Sequence, residues 1–327
     1  MRVAILGAGA FGTALAVHLK RLSHDVVIWT RSASKAAEIP LGSNHEALLD
    51  VGFESGLMAV TDADRALDGA ELAVVATPSL AVRETFLMVA ARRPGLRMVC
   101  VAKGIDPETL ELHSQIATVV APSSSFCALT GPSFAREVLS GQPTALVAAS
   151  RDESFARDVQ AALSGPRLRI YESDDVQGAE MAGALKNVIA IAAGMVVGLK
   201  CGENTGAALI TRGLAEISRL AVASGGRSET VAGLAGLGDL VLTCSSNQSR
   251  NFQFGRLVAE GKDPGEVLQS LGTVEGLRTT SAACLLGRKL GVETPVAAEV
   301  RGVLVQGVSP QDAVESLMLR RLKREVH

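Results

Sequence analysis

The sequence predicts an α/β domain built on a doubly wound, mainly parallel sheet, followed by an all-helical domain. Three features carry that expectation. The chain opens with a strand, a glycine turn, a helix and a second strand; strand-length aliphatic runs then alternate with helix-period segments as far as residue 171; from residue 174 onward only helical periods and glycine punctuation remain. The change of pattern sets a boundary near residue 180, with one domain over 1–180 and the other over 181–327.

Residues 3–6 form an aliphatic run of strand length, the apolar period from 11 to 22 reads as a helix, and 26–29 is the next strand. Further strands are expected at 72–76, 98–102, 126–129 and 145–148, with helical segments between several of them. In the second half, helices are expected over 176–199, 206–225, 279–290 and 309–322. No internal repeat or low-complexity linker interrupts the pattern.

A length of 327 residues suffices for two domains with sizeable cores. With 47% hydrophobic and 20% charged residues the composition is that of a globular chain and excludes a disordered one. Aromatics make up only 3%, so the core must be aliphatic and alanine-rich. The formal net charge is -2, and the one basic tract, 320–324, reads as decoration of a last helical turn, so no nucleic-acid footprint is present. The five cysteines are scattered and never form a CxxC pair. They fit a reducing compartment better than a zinc site or a disulfide framework. The sequence runs from Met1 and Arg2 straight into a strand, leaving no room for a signal peptide, so a cytoplasmic location is expected.

Gly7-Ala8-Gly9-Ala10-Phe11-Gly12 is a GxGxxG loop between the first strand and the first helix. In that setting the first glycine permits a tight turn, the second admits a pyrophosphate and the third allows close helix packing, as in Rossmann-type dinucleotide sites. An NAD-preferring site usually carries an acidic residue after the second strand, for the ribose 2'-hydroxyl. Here Trp29-Thr30-Arg31-Ser32 is followed by Lys35, with no carboxylate before Glu38. This favours NADP(H), with NAD(H) possible.

None of the histidines at 18, 24, 45, 113 and 327 occupies a convincing active-site turn, which weakens readings that need a histidine acid or base. Lys103, after the strand at 98–102, stands where doubly wound sheets bind ligands, although an exposed strand-end lysine would look the same. Gly131-Pro132-Ser133 reads as a turn into a helix, with Ser133 as a plausible cap. Residues 236–244, GLGDLVLTC, lead into a helix, and 247–251, NQSRN, begin another with a capping residue, free N–H groups and a guanidinium.

The run GALKNVIAIAAGMVVGL over 183–199 contains Lys186 and Asn187, and between Glu180 and Lys200 no other residue is charged. Lys186, Asn187 and three glycines argue against a membrane span. A core helix with a snorkelling lysine and a helix carrying a desolvated functional lysine both remain. No HExxH or comparable ligand set is present, and no metal is expected.

GAGAFGTALA, VAKGI, GPSFAREV, GALKNVIAIAAG, ALITRGLAE, GLAGLGDLVLTC and NQSRNFQFG together resemble the successive signatures of the bacterial-type NAD(P)-dependent glycerol-3-phosphate dehydrogenases, in order and over most of the chain. The resemblance implies interconversion of dihydroxyacetone phosphate and sn-glycerol 3-phosphate by hydride transfer, feeding glycerophospholipid synthesis. Lys186 would exchange the proton, with Lys103, Asp239, Thr243 and Asn187 around the reacting carbon and oxygen. Ser249, Arg250 and Asn251 would hold or flank the substrate phosphate, and Gly131 and Ser133 would line the substrate side. Besides Gly7, Gly9 and Gly12, the dinucleotide would meet Ala10, Phe11, Arg31, Lys103, Ala135, Arg250, Thr273 and Glu275. A homodimer with no integral membrane segment is implied.

Two departures stand out. The segment 43–60 lacks the asparagine-rich pattern that the family usually carries there, and no contact of it with substrate or phosphate follows from the sequence. Gly206 occupies the place of a commonly basic residue. The competing readings are another lysine-dependent dehydrogenase of the β-hydroxyacid or 6-phosphogluconate type, and a non-catalytic dinucleotide sensor.

Overall fold

In the computed structural model, which describes residues 1–48 and 51–319, the first half of the chain forms one eight-stranded sheet. Its strands are β1 (Arg2–Leu6), β2 (Asp25–Trp29), β3 (Met58–Val60), β4 (Leu72–Val75), β5 (Met98–Cys100), β6 (Phe126–Thr130), β7 (Thr144–Ala149) and β8 (Leu168–Ser173). The spatial order is β3-β2-β1-β4-β5-β6-β7-β8, and every pairing is parallel except β6 with β7. β4 is buried along its length because helices cover both faces, which is why it reads as an unbroken aliphatic run.

β1 lies between β2 and β4, so connections leave it in opposite directions and a crevice opens beyond the carboxyl ends. The register is level there: Leu6 stands opposite both Trp29 and Val75, and Val75 opposite Cys100. The residues that follow these strands therefore share one edge.

Two strands were not expected. β3 has only three residues, too few to show a period. β8 alternates buried Leu168 and Ile170 with exposed Arg169 and Tyr171, so it lacks the continuous apolar run that marks the inner strands. After Ser173 the described residues contain helices and no strand.

The second half is organised around the helix Val176–Gly198, which is buried on every side from Gly178 to Val196. Its most apolar window has a mean hydropathy of 1.6 and is 89% buried inside the protein, so its composition is that of a core helix. Its glycines permit close contact with the helix Arg250–Ala259. A Cβ on Gly194 would lie 2.0 Å from Phe252 O, and one on Gly255 would lie 1.9 Å from Ile191 O.

The helix expected over 206–225 runs Glu203–Ala223, and the one expected over 279–290 begins earlier, as Glu275–Leu290. Gly276 in its first turn reads as a break in sequence, yet here it is a packing position. Pro264–Leu271 and Pro295–Gln306 were not expected; each starts on a proline, a favoured first helical residue. The helix expected over 309–322 is described as Pro310–Met318. Residues 320–322 of that expected helix, the basic cluster 320–324 and His327 lie outside the described residues.

Candidate active site

The glycine loop lies at the carboxyl edge of β1. Gly7 has φ +120°, and a Cβ there would lie 2.6 Å from Ala76 O; a Cβ on Gly12 would lie 2.3 Å from Gly7 O. Both positions therefore require glycine. Gly9 is different, with its nearest atom 4.0 Å away, leaving open space above the backbone. Gly9 is also the cap of the helix Ala10–Arg21 and supplies no side-chain acceptor, so the first N–H groups of that helix point outward unpaired. An open glycine under an uncapped helix start fits an anionic diphosphate.

Ala10, Phe11 and Ala135 pack, half-buried, on the same core cluster and bring the helices Ala10–Arg21 and Ala135–Leu139 together beside the loop. Arg31 is exposed just after β2. Thr273 is exposed two residues ahead of the helix that starts at Glu275. The Glu275 carboxylate reaches across to the sheet edge and accepts the Ser79 N–H at 3.3 Å. Burial pushes the Glu275 carboxyl up, opposed by that hydrogen bond and by Arg250 and Arg278.

The segment 43–60, for which the sequence offered no substrate or phosphate contact, supports this edge from within the protein. Asn44, fully buried, donates from Nδ2 to Ala8 O at 3.1 Å and to Thr13 Oγ1 at 2.8 Å, bracing the glycine loop from below. Ser79 and His113 were also missed: His113 Nε2 and Ser79 Oγ are 3.0 Å apart. Burial holds the imidazole down at about 4, so it stays neutral. Nothing periodic in the sequence marks these contacts, because each joins residues tens of positions apart.

At the junction of the two halves, one carboxylate is shared by two lysines. Asp239 is 1% exposed; its Oδ2 accepts from Lys103 Nζ at 2.5 Å and its Oδ1 from Lys186 Nζ. Lys186 Nζ also donates to Thr243 Oγ1 at 2.9 Å, and the Thr243 hydroxyl donates to Asp239 O at 2.6 Å. Lys103 Nζ makes a second bond to Gly131 O at 3.3 Å.

Local structure sets each position. A wide turn at Leu234–Gly238, in which Gly238 N–H donates to Gly233 O at 3.1 Å, delivers Asp239 to the start of the helix Asp239–Cys244. Thr243 follows one turn later on the same face. Gly183 lies one turn before Lys186, and a Cβ on it would lie 3.0 Å from Thr130 Oγ1 and 3.6 Å from Lys103 Cγ, so the long helix can approach the ends of β5 and β6.

Lys186, 7% exposed, does not snorkel to water. Burial lowers its pKa most, Asp239 raises it and Lys103 lowers it, leaving it at about 8. Burial alone would raise the Asp239 carboxyl, but Lys103 and Lys186 outweigh that and hold it low. With all three groups ionised the cluster carries a net positive charge in a water-poor setting, which suits an anionic or oxyanionic ligand.

Beside this cluster, Asn187 Oδ1 accepts from Asn251 Nδ2 at 3.0 Å. Ser249 caps the helix Arg250–Ala259, its Oγ accepting from Phe252 N–H at 3.2 Å. Arg250, exposed at the first helical position, adds a guanidinium to N–H groups that have no intrahelical acceptor. The cap expected at Ser133 is not formed. Phe134 occupies that position without a side-chain bond, and the Ser133 hydroxyl turns back to donate to Gly131 O at 3.1 Å. A residue two places before the first helical turn reaches its own loop more easily than the helix N–H groups.

Residues 2–156 match the family model for the NAD-dependent glycerol-3-phosphate dehydrogenase N-terminus, and residues 175–315 match that for its C-terminus. The chain is 46% identical to a glycerol-3-phosphate dehydrogenase (NAD(P)+) of Thiobacillus denitrificans, covering 99% of this chain and 100% of the relative. A protein of the same name from Acidobacterium capsulatum is 45% identical, with 98% of each chain covered. The crystal structure of glycerol-3-phosphate dehydrogenase from Coxiella burnetii superposes with a TM-score of 0.93 at 38% identity, covering 98% of this chain and 99% of that one. Since the first matched segment contains Lys103, the second contains Lys186 and Asp239, and the two span nearly the whole sequence, the chain belongs to the NAD-dependent glycerol-3-phosphate dehydrogenase family.

Proposed function

We propose that this protein interconverts dihydroxyacetone phosphate and sn-glycerol 3-phosphate, with NADP(H) favoured and NAD(H) accepted. The observation that carries the reading is the bridge in which Asp239 joins Lys103 to Lys186 beside the carboxyl edge of the sheet. In this reading the dinucleotide is held by Gly7, Gly9, Ala10, Phe11 and Gly12 at its diphosphate end and by Arg31 at the 2'-phosphate. Ala135, Lys103, Arg250, Thr273 and Glu275 complete its contacts. When bound, the cofactor supplies the hydride for carbon 2 of the substrate.

Lys186 holds the proton that the carbon 2 oxygen gains on reduction and takes it back on oxidation. An ammonium has three N–H groups; Asp239 and Thr243 take two of those on Lys186, leaving one for the substrate oxygen. Lys103 likewise gives two to Asp239 and Gly131 O and keeps one. Asn187 Oδ1 accepts from Asn251 Nδ2, so in this reading the N–H groups of the Asn187 amide are what it offers the substrate. Asp239 neutralises only one of the two lysine charges, so a developing oxyanion meets net positive charge that is already oriented. Arg250, the N–H groups at its helix start, and Ser249 and Asn251 beside it hold the substrate phosphate, while Gly131 and Ser133 close the opposite side.

The chain is read as a dinucleotide-binding domain over 1–180 and a substrate-binding domain over 181–327; the last strand ends at Ser173 and the described residues after it are helical, which supports that division. A cytoplasmic homodimer is part of the same reading, supported by five unpaired cysteines for the compartment and by family resemblance for the assembly. The test is NADPH oxidation by the purified protein with dihydroxyacetone phosphate, alongside glycerol 3-phosphate oxidation in reverse. NADPH binding without turnover in either direction would leave a dinucleotide sensor as the surviving reading.

A further inference from the structure

Asn251 is 9% exposed, and both ends of its amide are engaged inside the protein. Its Nδ2 donates to Asn187 Oδ1 at 3.0 Å, and its Oδ1 accepts from Gly276 N–H at 2.9 Å. Each of these three residues adjoins a residue of the proposed site: Asn187 follows Lys186, Asn251 follows Arg250, and Gly276 follows Glu275. The Gly276 N–H is at the second position of the helix Glu275–Leu290, where no intrahelical acceptor exists, so Asn251 supplies one.

Gly276 is also the point of closest approach. A Cβ on it would lie 2.7 Å from Asn187 O, 2.8 Å from Asn251 Oδ1 and 2.8 Å from Ile191 Cδ1. The start of that helix is thus seated against both the lysine-bearing helix and the arginine-bearing helix. From the same turn, Glu275 reaches the Ser79 N–H beyond β4, on the far side of the crevice.

We infer that Asn251 is a positioning residue for the dinucleotide: through Gly276 it sets the helix turn that aims Glu275 at the sheet edge, tying the phosphate end of the substrate site to the cofactor edge. The inference rests on the proposed placement of the dinucleotide at the glycine loop. A residue serving only as a phosphate contact would alter substrate affinity and leave cofactor affinity in the free protein untouched. A residue that holds the helix start alters cofactor affinity before any substrate is present.

The experiment is a fluorescence titration of the substrate-free, full-length protein with NADPH, with the melting temperature recorded for each variant. Asn251→Ala removes the acceptor for Gly276 N–H and is expected to weaken NADPH binding about tenfold, the scale of one buried amide left unpaired. Asn251→Asp keeps that acceptor while its carboxylate meets Asn187 Oδ1, so it is expected to recover part of the NADPH affinity lost in Asn251→Ala, binding at least about threefold more tightly than that variant. Wild-type NADPH affinity in Asn251→Ala, with only the KM for dihydroxyacetone phosphate raised, overturns the inference, as does equal weakening in both variants. If Asn251→Ala does not fold, Gly276→Ala displaces the same N–H by steric contact and is expected to weaken NADPH at least as much; unchanged affinity there overturns it equally. Absence of wild-type turnover with dihydroxyacetone phosphate would remove the proposed substrate but leave this titration standing, so the two readings fail separately.

Discussion

Replacing Asp239 with asparagine keeps the shape of the bridge and removes its negative charge. In the wild type, burial lowers the Lys186 pKa, Asp239 opposes that and Lys103 adds to it, with the balance at about 8. Without the carboxylate only the two lowering influences remain. A unit pair about 4 Å apart at an effective dielectric near 20 attracts by about 4 kcal/mol. Halving this for water that enters and for the freed Lys103 leaves about 2 kcal/mol, or about 1.5 pH units at about 1.4 kcal/mol per tenfold change. Dihydroxyacetone phosphate reduction needs the ammonium, so its rate falls as pH rises through the Lys186 pKa, and this limb should move toward acid in Asp239→Asn. At pH 8 the protonated fraction drops from about one half to about one thirtieth, a loss of roughly fifteenfold. The assay is kcat/KM for reduction from about pH 5.5 to about pH 9.5, since that ratio reports groups of the free enzyme. A variant that keeps the wild-type limb would show that Asp239 does not govern the titrating group, and that Lys186 is not the proton donor.

Lys186→Met should keep NADPH affinity while lowering turnover about a hundredfold or more, the usual scale of acid/base catalysis; near-normal turnover in a folded variant would move the proton to Lys103 or to water. The same variant tests linkage. Because the folded-state pKa of about 8 lies below the ordinary lysine value of 10.5, the charged lysine costs the fold stability below about pH 8, and wild-type stability should rise from there toward pH 10.5 by about 3 kcal/mol. Lys186→Met should lack that rise in thermal melts. Arg250→Lys keeps the charge but loses the planar fork, so dihydroxyacetone phosphate binding should weaken about tenfold; unchanged affinity would relocate the phosphate contact. Arg31→Asp should weaken NADPH far more than NADH through repulsion of the 2'-phosphate, and equal losses with both cofactors would remove the basis for the NADP preference.

Local pattern made much of this protein legible. The GxGxxG loop between strand and helix, the aliphatic runs of the inner strands and the apolar helix around Lys186 each follow from residues close in sequence, where steric rules and hydrophobic periods act directly. The capping role of Ser249 could be read in the same way, from a serine just before a helical period. The fate of Lys186 could not. One apolar helix with one lysine is compatible with a snorkelling side chain or a desolvated one, and the choice depends on Asp239, 53 residues away. Likewise Ser133 looked like a cap and instead bonds within its own turn, because the competing acceptor, Gly131 O, becomes available only when that turn forms. Asn44 under the glycine loop, Glu275 on Ser79 and Asn251 on Gly276 leave no periodic trace, since each pairs polar groups brought together by the packing of whole elements. The sequence by itself determined the sheet-then-helices order and the glycine loop, which rest on short-range geometry and hydrophobic period, while the candidate site side chains came from the order of motifs that resemble one family. Only the tertiary structure decided which charges share a carboxylate and which amides bond within the protein, because burial and Coulomb interactions depend on distances that the fold creates.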